Sequence, residues 1–174
     1  MDVNQTYTNL IFTKKNIMSI EIGRPAPEFT LHDSDKNKVN LSDFKEKNVL
    51  LLFFPQAFTS VCTKELCAVR DDISRYSNVN AEVIGISVDS VFTLAKYKEE
   101  QQYNFALLSD FNKEVSALYD TLYTEWILNM KGVSKRSAFV IDKAGIIRYA
   151  EVLENANDEP DFKAINQMLE KLSA

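Results

Sequence analysis

His32, Cys62 and Cys67 are the entire supply of imidazole and thiol in this chain of 174 residues. A structural zinc site usually takes four Cys or His ligands, so none is expected here. Any Cys–His or Ser–His catalytic arrangement would depend on His32 alone, which reads as an ordinary surface histidine. The two cysteines do not form Cys-x-x-Cys, which disfavours thioredoxin-type dithiol exchange. Glycine is equally scarce: four residues, none clustered, leave no loop to cradle a phosphate or a dinucleotide. The longest apolar run, residues 49–54, falls far short of the ~18–20 residues of a membrane span. With 20 Lys and Arg against 25 Asp and Glu, the net charge of −5 provides no basic face for nucleic acid.

The N-terminus has no basic head and only the short apolar cluster Leu10-Ile11-Phe12, so it does not read as a secretory signal. The cytoplasm is the expected compartment, and there two cysteines are redox-active or inert rather than permanently bridged. Residues 1–17, polar and aperiodic, read as a flexible extension, and 18–174 as one domain. A composition of 45% hydrophobic and 26% charged residues suits a folded, water-soluble chain.

Local patterns then give the elements. Residues 29–31 and 39–41 flank a polar turn and predict a small hairpin ahead of the main sheet. The run 49–54, ended by Pro55, suits a strand buried on both faces. Leu66, Val69, Ile73 and Tyr76 recur at helical spacing and predict one helix over 63–77. Strands at 81–88 and 105–108 alternate with helices at 92–102 and 113–119. Two more strands, 137–141 and 146–150, flank the turn Asp142-Lys143-Ala144-Gly145, whose glycine stands where a positive φ is needed. A helix over 161–172 closes the chain. Strands alternating with helices predict a mostly parallel sheet covered on both faces, made mixed by the final antiparallel pair.

The segment with chemical content is Phe53-Phe54-Pro55-Gln56-Ala57-Phe58-Thr59-Ser60-Val61-Cys62-Thr63-Lys64-Glu65-Leu66-Cys67. A buried strand ends, a short loop turns, and Cys62 lands at the start of a helix. Free N–H groups and the positive end of the dipole favour an anion at that place. A thiolate is such an anion, and a helix N-terminus with a nearby arginine is a recognised setting for an activated cysteine. A small core cysteine is the plainer alternative for this residue taken by itself.

The spacing Pro55-x-x-x-Thr59-x-x-Cys62, with Phe53-Phe54 before it and Glu65 after, resembles the active-site signature of the peroxiredoxins, the AhpC/TSA thiol peroxidases. Far downstream, Lys135-Arg136-Ser137-Ala138-Phe139-Val140-Ile141-Asp142 is similar to the family's arginine-bearing strand. The resemblance implies a thioredoxin-like α/β fold with an N-terminal β-hairpin and a peroxidase that needs neither cofactor nor metal. It implies that Cys62 is the peroxidatic thiolate, that Thr59 hydrogen-bonds the peroxide, and that Pro55 shields the sulfur. It further implies that Arg136 stabilises the thiolate and the leaving oxygen, and that Glu65 holds an arginine in place. The substrate would be hydrogen peroxide or an organic hydroperoxide, and the reductant a thioredoxin-like donor or another thiol. A thioredoxin-fold redox sensor using the same Cys62 without efficient turnover is the alternative from another class.

Cys67 stays open between two roles. The spacing Cys62-x-x-x-x-Cys67 resembles the bacterioferritin-comigratory (PrxQ) branch, where the second cysteine resolves the first, whereas Ala57-Phe58-Thr59 and Gly132-Val133 lean toward the one-cysteine AhpE-like branch. In an intact helix five residues separate Cα atoms by about 8.6 Å, beyond the ~7 Å that a disulfide spans. A resolving Cys67 therefore requires the first turns to unwind, and an intact helix leaves it a bystander. Phe58, Phe92, Tyr119, Tyr123 and Trp126 are candidates for the rim of the site, and the resemblance implies that a homodimer would use this edge.

Overall fold

The computed structural model describes residues 20–174, so the extension expected at 1–17 lies outside the described residues. The chain order is β1 (Thr30–Asp33), β2 (Lys38–Asn40), β3 (Asn48–Phe53), α1 (Ser60–Asp71), α2 (Ile73–Asn78), β4 (Ala81–Ser87), α3 (Val91–Gln101), β5 (Ala106–Ser109), α4 (Glu114–Leu118), β6 (Ser137–Ile141), β7 (Ile147–Val152) and α5 (Phe162–Ser173). The strands form one seven-stranded sheet in the order β2-β1-β5-β4-β3-β6-β7. This is the mixed α/β sheet of the thioredoxin-like type expected above.

Two departures matter. Only β3–β4 and β4–β5 are parallel, while the other four pairings are antiparallel, so the sheet is less parallel than helix–strand alternation suggested. The opening hairpin also does not stand ahead of the sheet. It joins it, with His32 opposite Ser109 and Asp33 opposite Leu108. That pairing removes one open edge from the parallel core, since β1 covers the backbone groups β5 would otherwise expose.

β3 is the central strand of the chemistry, and all six of its residues are buried. Its side chains alternate between two cores, as a strand of period two must. Leu50 and Leu52 face a cluster with Phe54, Leu66, Val69, Leu94, Tyr97, Ile165 and Leu169. Val49, Leu51 and Phe53 face a second cluster with Phe29, Val115, Tyr119, Phe139 and Ile141. Helices α1, α3 and α5 thus cover one face, and α4 with the N-terminal segment covers the other. Each of those large apolar side chains contributes roughly 1.5–3 kcal/mol by leaving water.

The helix expected over 63–77 is two helices. Asp72, at φ −107° and ψ 20°, breaks the spiral between α1 and α2. The Asp72 carboxylate accepts from Arg75 Nε at 2.7 Å, and its carbonyl accepts from the Arg75 amide at 3.0 Å. The apolar stripe runs on through Tyr76, so hydrophobic spacing alone does not register the break. Gly145, by contrast, behaves as the turn requires: φ is +78°, and its N–H donates to the Asp142 carbonyl at 2.8 Å. Among the described residues no helix is long and apolar enough to cross a membrane.

Candidate active site

Leaving β3, the chain must turn sharply to enter α1. Phe54 N–H still reaches the Ile86 carbonyl at 3.0 Å, so the β4 register extends one residue past the strand. Pro55 is buried and donates nothing to that ladder. The Ala57 N–H then donates to Asp89 Oδ2 at 2.8 Å, and the same oxygen accepts from Ser87 Oγ at 2.7 Å. Phe58 takes a left-handed φ of 64°, a strained conformation for a large side chain. Its exposed ring packs on Tyr97, with centroids 4.8 Å apart. Thr59 returns to extended backbone as the residue preceding α1, and its carbonyl receives the first helical bond, from the Thr63 amide at 3.0 Å.

Cys62 is therefore the third residue of α1, inside the turn whose N–H groups lack intrahelical partners. Its residue surface is 1% exposed. Thr59 and Thr63 beside it are half-buried and Ser60 is exposed, so the rim of the site reaches solvent although the sulfur scarcely does. The Thr59 hydroxyl donates to the Gln56 carbonyl at 2.8 Å, which leaves its oxygen lone pairs free to accept.

Arg136 immediately precedes β6, the strand that pairs antiparallel with β3. It is 1% exposed, and its guanidinium is shared among three acceptors. Nη1 donates to Glu65 Oε2. Nη2 donates to Cys62 Sγ at 3.3 Å and to the Ala156 carbonyl at 3.0 Å. Nε also points at Ala156 O, at 3.3 Å. Burial opposes the guanidinium's charge, but the neighbouring Glu65 and Cys62 outweigh it and hold Arg136 above the usual arginine range.

Glu65 lies one turn after Cys62 and is fully buried. Burial pushes its carboxyl up to about 7, with Arg136 drawing it back down and the charge of Glu159 pushing it further up. Among the described residues its Oε1 has no hydrogen-bond partner to offset that burial.

Cys67 sits further along the unbroken α1 and is half-buried; both cysteines are free thiols. Its Sγ lies 3.6 Å from Gln101 Oε1 and 4.0 Å from the Tyr103 hydroxyl. Of the five aromatic rim candidates, Tyr119 does not belong: it packs with Phe53 and Phe139 in the core of the opposite face. Phe92 is exposed and carries Lys36 over its ring. Tyr123 and Trp126 stack at 6.3 Å, and Tyr123 lies within the field of Arg136. His32 stands in β1 opposite Ser109. No group of three or more His, Cys, Asp or Glu among the described residues is placed to hold a metal ion.

The structure thus gathers Cys62, Arg136 and Glu65, with Pro55 and Thr59 on the loop leading in. Sequence reasoning missed three contributors. The Ala156 carbonyl is a backbone acceptor and has no side-chain signature. Asp89 pins the loop from the end of β4, and its only sequence hint was its place just before Ser90, the residue that caps α3. Tyr97 falls within the helix expected over 92–102 and was given no role there.

Residues 22–150 match the AhpC/TSA family. Alkyl hydroperoxide reductase E of Mycobacterium tuberculosis is 37% identical over 136 residues, which cover 76% of this chain and 86% of that protein. The mitochondrial thioredoxin-dependent peroxide reductase of Drosophila melanogaster is 31% identical over 180 residues, or 98% of this chain and 73% of that one. The crystal structure of peroxidoxin BcpB from Mycobacterium tuberculosis superposes with a TM-score of 0.78 at 29% identity, covering 88% of this chain and 98% of that chain.

Proposed function

Because this chain belongs to the AhpC/TSA family and is a peroxiredoxin, a thiol peroxidase, we propose that Cys62 is its peroxidatic cysteine and Arg136 the group that stabilises the reacting charge. The Cys62 thiolate attacks the terminal oxygen of a hydroperoxide. An S–O bond forms as the O–O bond breaks, and the electron pair leaves on an alkoxide or hydroxide that takes up a proton. The sulfur becomes sulfenic acid.

One observation carries this reading: Arg136 Nη2 stands 3.3 Å from Cys62 Sγ while its other donors are tied to Glu65 and Ala156. The donor is fixed before the peroxide arrives, and preorganised donors in a dry site are the largest usual source of rate enhancement. Thr59, whose oxygen can still accept, is the partner for the peroxide O–H. Pro55, buried beside the loop, keeps water from the sulfur.

Cys67 is the resolving thiol in this reading. Its sulfur attacks the Cys62 sulfenic sulfur; the S–S bond forms, the S–O bond breaks, and the oxygen leaves as water with the thiol proton. α1 is unbroken across both residues, so that step requires its first turns to unwind. A thioredoxin-like dithiol then reduces the disulfide, in keeping with the thioredoxin-dependent reductase among its relatives. Two free thiols suit a reducing compartment such as the cytoplasm. The exposed Phe92 and Phe111, which line a groove of about 650 Å³, are the surface on which a homodimer would form.

Peroxide consumption with a thioredoxin system tests the assignment. Wild type turns over, Cys62→Ser is inactive, and Cys67→Ser reacts once and then stalls unless an external thiol is added. After stoichiometric peroxide, wild type loses ~2 Da as the disulfide forms, and a persistent sulfenic or sulfinic adduct instead rules out the resolving role. Activity in Cys62→Ser rules out the site, and stoichiometric oxidation of wild type without turnover points to a sensor.

A further inference from the structure

The same helix must hold Cys62 rigidly for the first step and release it for the second, so whatever fastens its first turns controls the handover. Arg136 grips α1 from the sheet side through Cys62 and Glu65. On the α3 side the hold comes from hydroxyls. Thr63 Oγ1, one residue past Cys62, shares a hydrogen bond of 2.9 Å with the Tyr97 hydroxyl. The Tyr97 and Tyr103 rings pack edge to face, with centroids 5.0 Å apart and planes 76° from parallel. Tyr103 OH in turn lies 4.0 Å from Cys67 Sγ, and Gln101 Oε1 approaches the same sulfur at 3.6 Å.

Both tyrosines are buried, at 0% and 4% exposure, with Phe54 and Phe58 against Tyr97 and Phe105 against Tyr103. Rings so enclosed are fixed points, and a hydroxyl on a fixed ring anchors a helix more firmly than one on a mobile side chain. The gap between Tyr103 and Gln101, moreover, holds the Cys67 sulfur against α3.

We propose that Tyr97 and Tyr103 are positioning residues that clamp the first two turns of α1, setting how often the Thr63–Cys67 segment opens and hence how fast an oxidised Cys62 reaches Cys67. The clamp is a property of the reduced helix. Its consequence for disulfide formation rests on the reading of Cys67 as the resolving thiol. A tight clamp leaves the sulfenic acid exposed to a second peroxide for longer, and a loose one hands it over sooner.

Tyr97→Phe and Tyr103→Phe remove the hydroxyls and keep the rings. Amide hydrogen exchange of the reduced full-length proteins is expected to speed up at 63–67 by about fivefold for each variant, the usual worth of one lost hydrogen bond. β3 amides serve as the reference and stay at the wild-type rate. In rapid-quench mass analysis the ~2 Da loss comes earlier by a similar factor. The peroxide concentration that drives half of Cys62 to sulfinic acid rises in step, while the rate of the first oxidation stays within twofold of wild type. Exchange at 63–67 within twofold of wild type overturns the clamp whatever the thiols do, as does equal acceleration in β3. Faster local exchange with no ~2 Da loss in any protein, wild type included, keeps the clamp and removes Cys67 from the resolving role.

Discussion

Replacing Arg136 with methionine puts the central claim under the greatest strain. The guanidinium donates to Glu65, Cys62 and Ala156, and of these Glu65 and Cys62 are too buried to find water as a substitute. Two losses follow, and they must be separated. The first is stability: Glu65 is left buried without its counter-charge, and orphaning one member of a buried pair costs about 3–5 kcal/mol. Part of that cost is avoidable, because burial already pushes the carboxyl up to about 7, so the variant is less destabilised at pH 6 than at pH 8. The second loss is rate. Removing one preorganised donor aimed at developing charge typically costs about 10²–10³-fold. Arg136→Met combined with Glu65→Gln removes both charges together, which restores much of the stability and leaves the rate loss in place. Stopped-flow mixing with hydrogen peroxide measures it, with the chain's single tryptophan, Trp126, stacked on Tyr123, as the reporter. A double variant that unfolds at the wild-type denaturant concentration yet reacts within tenfold of the wild-type rate refutes the role given to the guanidinium.

Glu65→Gln alone gives a stability signature. A carboxyl raised from 4.5 to about 7 keeps its proton in the folded state over a pH range where the unfolded chain has lost it. Wild-type stability from this group is thus fully present below about pH 4.5 and declines as pH rises toward 7, by at most about 3 kcal/mol. The Gln variant lacks that slope, and urea unfolding at several pH values is the check; parallel curves contradict the assignment. The closure over Cys62 selects for slender oxidants, since its residue surface is only 1% exposed. Hydrogen peroxide is expected to react at least tenfold faster than cumene hydroperoxide, and equal second-order rates would mean that the site opens before it reacts.

The sequence shows some of these features better than others, and the reasons are physical. β3 was legible because six buried residues in a row can hardly be anything but a central strand. The proximity of Cys62 and Arg136 was legible only through a family pattern, since nothing local ties residues 74 apart. The break at Asp72 was hidden because Leu66, Val69, Ile73 and Tyr76 keep their spacing across it, and periodicity reports which face is buried but not whether the axis is continuous. The β1–β5 pairing escaped for a related reason: strand pairing over long separations leaves no mark in either segment. Tyr119 looked like a rim residue because aromatic identity does not say which face of a sheet a ring enters.

One step of the proposed chemistry explains why the first turn of α1 can be both rigid and releasable. While Cys62 is a thiolate, its bond from Arg136 joins two opposite charges; once the sulfur is neutral, only the guanidinium is charged and the Coulombic part of the bond is lost. Oxidation to sulfenic acid neutralises the sulfur and weakens that hold by roughly 1 kcal/mol, a shift of about fivefold toward the open helix. The bond between Thr63 and Tyr97 on the α3 side joins two neutral hydroxyls and stays in place when the sulfur loses its charge. Oxidation therefore loosens one of the two fastenings and leaves the other. Resolution should then respond to Tyr97→Phe more strongly than the first oxidation does, because only the second step has to overcome the fastening that remains.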